Sequence, residues 1–337
     1  MKRLTISDIA KRAGVSIGAV SFALNGRPGV SSQTRSRILA IAEEMGWRPN
    51  AAARGLSESR ARTVGLVIAR SADTLGVEPF FMKFIAGLES ELAVSRTGLL
   101  LQVVPDHARA INAMGAWWAE RRVDGVIVTD LWAEDARLPL LEEMSIPGVL
   151  VGRPHPGSRL PAVWSDDAAA VTETVDHLVA LGHRRIARVA GLPALDHTRV
   201  RNDAFHAVLA RHGLRPADVI DTDYTWAAGA DATQELLSAD RPPTAIIFDN
   251  DVMGTAGLSV ARKLGVSVPD ELSIVAGDDS QLCEMVFPAL TALSRDIQKY
   301  GANTARTLLA LLDGATVTSF QDATARLLIR ESTAAPA

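Results

Sequence analysis

Along residues 5–46 the apolar positions recur at helical spacing in short segments broken by glycine, whereas from Thr63 onward unbroken apolar runs alternate with helix-period stretches. In the first region Thr5 is placed to cap a helix over ISDIAKRA that Gly14 ends, and Ser16 a second over IGAVSFAL that Asn25 and Gly26 end. A third helix starts near Ser31, sets Ile38, Leu39, Ala42 and Met45 on one face and ends at Gly46. With Ile9, Ala10, Val15, Val20 and Leu24 that face closes one small core. Two short helices joined by GVS and braced by a third describe a helix-turn-helix whose second helix turns Ile17, Gly18, Ser21 and Phe22 outward, toward a DNA major groove. Any three-helix bundle shares this spacing, so the pattern alone leaves both readings open.

The following stretch, WRPNAAARGLSESRART, reads as a linker with a short helix over NAAARGL that is marginal by itself in water. On a DNA minor groove it would order, with Leu56 as an apolar wedge and Arg54 as the basic contact beside it. A plain interdomain tether is the other reading. Beyond it, VGLVIA, LLLQVV, DGVIV, GVLVG, RIARVAG, TAIIFD and LSIVAGDD are apolar strands, separated by helical segments such as FFMKFIAGLESELAV and AVTETVDHLVALG. Strands without polar alternation, spaced by helices, predict parallel sheets covered on both faces. Four precede about residue 160 and three or more follow, which predicts two doubly wound lobes with a ligand cleft between them.

Charge changes the picture of the first region. The net charge of −4 conceals eleven Lys and Arg against four Asp and Glu in residues 1–62, and 24 against 35 in the remainder. So asymmetric a basic segment points to nucleic acid. Composition bounds the rest: 337 residues with 47% hydrophobic and 22% charged can fold as several domains. Ser7 and Asp8 interrupt any signal-peptide core, and no apolar run approaches a membrane span, so a cytoplasmic protein without membrane contact is expected. Cys283 is the only cysteine, which leaves no intramolecular disulfide and no thiolate-rich metal site.

The segments TISDIAKRAGVS, AVSFALNG, VSSQTRSRILAIAEEMGWRPNAAARGL, LVALGHRRIARVAG, FDND, LSIVAGDD and FPALTALSRDIQKYG, in this order over essentially the whole chain, resemble the lactose-repressor/galactose-repressor (LacI/GalR) family of bacterial transcription regulators. The resemblance implies an α/β protein: a three-helix helix-turn-helix headpiece over 1–46, a hinge helix and linker over 47–62, and over 63–337 a two-lobed effector-binding and dimerisation core of periplasmic-binding-protein type. It implies a homodimeric repressor on pseudo-palindromic double-stranded operator DNA, controlled by a small effector, commonly a sugar or a nucleobase in the family and here expected to be a sugar or sugar derivative, with no cofactor. By position, Ile17, Gly18 and Phe22 match the base-reading residues. Thr5, Ser16, Ser21, Asn25, Ser31 and Thr34 match DNA-contact positions beside them, and Asn50, Ala53, Arg54 and Leu56 match the hinge. Phe22 departs from the long polar side chain, often Arg, usual there. Reading then rests on thymine methyls, the close approach Gly18 permits, the hinge and DNA shape, unless Phe22 packs in the headpiece core.

In the core, Tyr224 matches an aromatic that stacks on ligand and Arg201 an effector-binding Arg, with Asn250, Asp251 and Asp278 completing a polar set at strand ends. Carboxylates and a guanidinium suit a polyol. Asn250 and Asp251 read equally as caps of the next helix, and Phe80 and Phe81 as cleft lining or core. Gly152 stands where the family commonly has Asp, and Arg295 adds a positive charge, which together admit a phosphorylated or acidic sugar or a larger oligosaccharide. The rival classes fare worse. A periplasmic binding protein needs a signal peptide in place of the basic helices. An enzyme would rest on Asp278 with Asp279, or on His177 and His183, whose spacing does not share a helix face, and neither a P-loop nor G-x-G-x-x-G is present. The ending LLIRESTAAPA carries no leucine heptad, which favours a dimer over a coiled-coil tetramer.

Overall fold

The computed structural model describes residues 4–47, 60–70, 75–76, 78–215 and 218–337. The chain divides into two compact units, Met1–Ala61 and Arg62–Ala337. In the first, helices α1 (Ile6–Ala13), α2 (Ile17–Leu24) and α3 (Ser32–Glu44) have the predicted bounds to within a residue or two. Asp8 Oδ2 accepts both the N–H and the hydroxyl of Thr5 at 2.8 Å, Gly14 ends α1 in the left-handed conformation, and Ser16 Oγ accepts the Ala19 N–H at 3.1 Å. Ile9, Ala10, Ala13, Val20, Ala23, Ile38 and Ala42 form the core, with Val15, Leu24, Ile41 and Met45 against it. Leu39 corrects the expectation: it is 45% exposed, and Ile41 takes the core face with Ile38, Ala42 and Met45 because positions three, four and seven apart share it.

The second unit holds two six-stranded sheets. The first joins β1 (Thr63–Ala69), β2 (Gly98–Val104), β3 (Gly125–Val128), β4 (Gly148–Val151), β5 (Ala162–Trp164) and β11 (Phe320–Gln321) in the order β11-β5-β4-β3-β1-β2, all parallel. The second joins β6 (Ile186–Ala190), β7 (Val219–Asp221), β8 (Ala245–Phe248), β9 (Ser273–Ala276), β10 (Thr291–Ser294) and β12 (Arg326–Leu328) in the order β12-β10-β9-β8-β6-β7, with only β12 antiparallel. Each is a doubly wound sheet whose strand order reverses between its first and third strands, the place where such folds open a crevice. The buried strands are almost wholly apolar, as GVIV and AIIF illustrate, because helices cover both faces; IARVA is interrupted by Arg188, which is buried in an ion pair with Asp249.

Helices α4 (Pro79–Val94), α5 (His107–Ala119) and α6 (Arg137–Glu143) belong to the first lobe. To the second belong α7 (Asp167–Ala180), α8 (Asp196–Arg211), α9 (Trp226–Leu237), α10 (Asp251–Lys263) and α11 (Gln281–Met285). The chain crosses between lobes after β5, after β10 and after β11, so α12 (Ile297–Leu312) returns to pack on α4. That packing needs glycine at both contact points: a Cβ on Gly87 would strike the Gln298 carbonyl, and one on Gly301 the Phe84 carbonyl. Asp166 and Asp296 end the first two crossings alike, at φ −80° with ψ 84° and 85°, each capping the helix that follows. Among the described residues no helix is long and apolar enough to cross a membrane.

Candidate functional site

On the headpiece, the face of α2 is built by exclusion. Val20 and Ala23 turn inward, which leaves Ile17 at 49% and Phe22 at 41% exposure on the opposite side with Gly18 between them. Phe22 is therefore outside the headpiece core; its ring lies across Gly29, 3.2 Å from where a Cβ would stand. Gly18 has open space around it, and Ser16, Asn25 and Ser31 are exposed on the flanks. Ser21 and Asn25 meet one turn apart at 3.4 Å, and Ser31 Oγ caps α3 through the Thr34 N–H at 3.3 Å. Thr5 lies at the exposed start of α1. Asn50, Ala53, Arg54 and Leu56 lie outside the described residues.

The lobes of the second unit meet over a buried polar layer built at the carboxyl ends of β1, β3, β6, β8 and β9. From the first lobe comes Arg70, which grips Asp130 through Nε at 2.8 Å and Nη2 at 3.1 Å, Arg70 buried and Asp130 half-buried. From the second come Arg201 and Asp167, joined at 2.7 and 3.0 Å, and Arg188, bonded to Asp249 and to Asn202 Oδ1 at 2.8 Å. Arg201 also stands 3.6 Å from Asp249, whose other oxygen accepts the Gly191 N–H at 2.7 Å. A cavity of about 20 Å³ lies among Asp167, Arg188, Arg201, Asp249 and Arg295, enough for a water-sized group.

Tyr224, at φ +69°, is tied by its hydroxyl to His197 at 2.8 Å and Thr198 at 3.2 Å, and the Arg70 guanidinium lies 4.5 Å over its ring. Its face toward the other lobe is thus covered by Arg70. Asp130, at φ +51°, is strained in the same way, so two non-glycine residues in the left-handed region bracket one guanidinium. Asn250 caps α10 through the Met253 N–H at 2.8 Å and gives its amide to the Tyr224 carbonyl at 3.1 Å. Asp251 uses Oδ1 on the Val252 N–H, while its buried Oδ2 has no hydrogen-bond partner. Asp278 stands 3.6 Å from Arg295, which also lies over Phe80 at 5.5 Å and Tyr300 at 5.8 Å. Phe80 is half-buried and stacks on Phe84, whereas Phe81 is core. Lys83 donates to the Asp279 carbonyl at 3.1 Å, and Trp132 bridges Leu195, so both ends of the interface are pinned.

Burial and charge sort these acids into two kinds. Against the upward push of burial, Arg201 holds Asp167 below the usual carboxylate range, Arg70 does so for Asp130, and Arg188 with Arg201 for Asp249. Burial instead carries Asp278 up to about 6 and Glu78 up to about 8. Burial and the Arg201 charge press His197 down to about 4, so it is neutral at pH 7.

The structure therefore brings Arg201, Tyr224, Asn250, Asp251, Asp278, Arg295 and Phe80 to one interface, and adds Arg70, Glu78, Asp130, Asp167, Asp249 and His197, which pattern reasoning missed. Arg70 and Asp130 follow directly on β1 and β3, so the rule that crevices open where strand order reverses would have found them. Gly152 is explained by its backbone: at φ +138°, with Leu131 Cδ1 3.0 Å from a notional Cβ, an Asp there would be strained. His183 bonds Thr244 at 2.9 Å and Ser273 at 3.0 Å, a structural role. No cluster of three or more His, Cys, Asp or Glu suited to a metal occurs among the described residues.

Residues 5–50 match the model of bacterial regulatory proteins of the lacI family, and residues 175–333 that of the periplasmic binding protein-like domain. Catabolite control protein A of Priestia megaterium is 30% identical over 94% of this chain and 95% of its own. The HTH-type transcriptional regulator CelR of Thermobifida fusca is 30% identical over 94% of each. Among solved structures, a CelR–cellobiose complex matches with a TM-score of 0.75 at 29% identity over 98% of this chain and all of its own. A lac repressor dimer bound to operator and the anti-inducer ONPF matches with a TM-score of 0.86 at 26% identity over 99% of this chain and all of its own. With its headpiece, its two-lobed core and relatives spanning its length, the chain belongs to the lacI family of bacterial transcriptional regulators.

Proposed function

We propose that the protein is a cytoplasmic repressor that binds a pseudo-palindromic operator as a homodimer and releases or tightens on it when a small polyhydroxylated effector enters the cleft. The headpiece is 1–46, the hinge 47–62 and the regulatory core 63–337. The observation that carries this reading is the buried layer of paired Arg and Asp at the strand ends, since a protein that only bound DNA would have no use for so much desolvated charge between two lobes. The exposed Ile17, Gly18 and Phe22 face, flanked by Ser16, Ser21, Asn25, Ser31 and Thr34, supports base and phosphate contact, with Leu56 entering the central minor groove. The exposed apolar side chains Met285 and Phe287, 78% and 83% accessible, support burial against a second copy. Arg201 and Asp278 bind the effector, Arg295 orients Asp278, and Asn250 and Tyr224 hold the wall.

The test is anisotropy titration of the full-length protein on its own upstream DNA and on random duplex, with and without a panel of sugars. A two-half-site footprint, steep salt dependence and an effector-induced change of roughly 5- to 150-fold are expected. Equal affinity for both duplexes at every salt concentration would overturn the reading.

A further inference from the structure

Among the described residues at the lobe interface, Arg70 Nη1, Glu78 Oε2 and Asp251 Oδ2 are buried polar atoms without a hydrogen-bond partner, as are Thr129 Oγ1 and Asp279 Oδ1, the latter beside the Arg330 guanidinium. Arg70, Glu78 and Asp251 are 7%, 7% and 1% exposed, so water does not serve them from bulk. They come from both sides of the cleft. Arg70 follows β1, Glu78 is the residue before α4 whose side chain caps nothing, and Asp251 opens α10 in the other lobe. The Lys83 bond to the Asp279 carbonyl draws the first turn of α4 against the loop that carries Asp278.

The ion pairs show which charge is in excess. Arg70 has Asp130, Arg201 has Asp167, Arg188 has Asp249 and Arg295 has Asp278, which leaves Glu78 and Asp251 as the acids of this layer without an ion-pair partner. Arg70 faces Glu78 but is committed to Asp130, and the charges of Asp130, Asp278 and Asp251 all face Glu78 as well. Lys83, on Glu78's own helix, donates to the Asp279 carbonyl while its charge faces Asp251, whose carboxyl also lies toward the Ser280 hydroxyl. The Arg295 charge that admits a phosphorylated or acidic sugar on sequence grounds is already paired with Asp278.

Resting on the effector-controlled reading above, we propose that the effector is a polyhydroxylated amine, whose ammonium group is held by Glu78 and Asp251 across the cleft and whose hydroxyl oxygen accepts from Arg70. An ammonium supplies three donors for the unserved carboxylate oxygens, and a hydroxyl supplies the acceptor. A sugar phosphate would place two further negative charges against acids that already lack a partner. Contact with one acid from each lobe also gives the ligand a means of setting the lobe arrangement. Because Glu78 is protonated at neutral pH, seating the ammonium drives off about one proton as the carboxyl ionises.

The experiment uses full-length protein and matched probes: glucosamine, galactosamine and mannosamine, each beside its parent hexose, its N-acetyl form and its 6-phosphate, with ethanolamine as a probe free of ring stereochemistry. Melting shifts are followed by calorimetric titration in buffers of different ionisation enthalpy. At least one free amine is expected to bind ten times or more tighter than its parent hexose and N-acetyl form, with about one proton released at pH 7. In Glu78→Gln that preference falls toward unity and the proton release disappears; in Asp251→Asn, the second variant should the first not fold, the preference falls toward unity while Glu78 still releases its proton on any residual binding. A neutral or phosphorylated sugar binding as tightly as its amine would overturn the proposal while leaving effector control intact. If no probe of any charge alters melting or operator affinity, the amine assignment fails together with the effector reading.

Discussion

Arg201 offers the sharpest separation of holding the fold from holding a ligand. Replacing it with Met keeps most of the side-chain volume and removes the guanidinium that contacts Asp167 at 2.7 and 3.0 Å. Asp249 keeps Arg188 and the Gly191 N–H, so the loss falls on Asp167. Stranding one member of a buried pair costs about 3–5 kcal/mol, and because Asp167 is partly open and can take up a proton the lower end applies. At about 2–4 °C per kcal/mol for a unit of this size, Arg201→Met should melt roughly 6–12 °C below the parent at pH 7. Asp167 sits below its ordinary pKa in the folded parent, so its stabilisation is present above the usual carboxylate range and is lost as pH falls through the folded value. The gap between variant and parent should therefore narrow below about pH 4. Adding Asp167→Asn removes the stranded charge and should restore at least half of the lost stability. Effector affinity, by contrast, should stay at least tenfold down in both variants, because the donor itself is gone. Calorimetry and effector titration on the same preparations read the two quantities. If the double variant recovers effector affinity along with its melting temperature, Arg201 acts only by bracing Asp167, and the argument for direct contact is refuted.

Three further outcomes are expected. The raised pKa of Glu78, about 8, and of Asp278, about 6, means that the folded state binds more protons than the unfolded one between about pH 4 and 8, so these two groups make stability fall as pH rises across that window. Glu78→Gln should flatten the fall in a pH series of melting curves, and an unchanged slope would exclude Glu78 as its source. Phe22→Ala should weaken operator binding by about 1–3 kcal/mol without altering the salt slope in anisotropy titrations, as expected for an apolar base contact. A changed salt slope would place Phe22 outside base reading. Gly301→Ala drives a methyl group into the Phe84 carbonyl where α12 crosses α4, and should lower stability by about 1–3 kcal/mol; a neutral result would mean the helices separate freely.

The headpiece and the long strands are legible in the letters because each local signal agrees with its neighbours. Thr5 and Ser16 cap, Gly14 ends a helix, and runs such as AIIF are apolar from end to end. The short strands AVW, VID, TALS, FQ and RLL escape such reading: two to four residues carry no period, and pairing across the sheet decides them. The cleft divides in the same way. Asn250 announces its capping role by preceding α10, but the pairing of Arg295 with Asp278, or of Arg70 with Asp130, joins residues 17 and 60 positions apart and is set by the sheets. Tyr224 shows the limit of position alone, since a matching aromatic says nothing of the guanidinium laid over it.

The route of the chain through the two lobes also fixes an order of construction. The headpiece core is complete once Met45 and Trp47 have been made. The first lobe, although it begins at Thr63, lacks the helix bearing Ile297, Tyr300 and Leu308 and its edge strand Phe320–Gln321 until nearly all of the 337 residues exist. On the ribosome, the part that reads DNA is finished early and the part that governs it almost last. A chain cut anywhere before α12 would thus carry a folded headpiece without a finished sensor, which places the codons for α12 and Phe320–Gln321, far from the operator-reading ones, in charge of whether regulation exists at all.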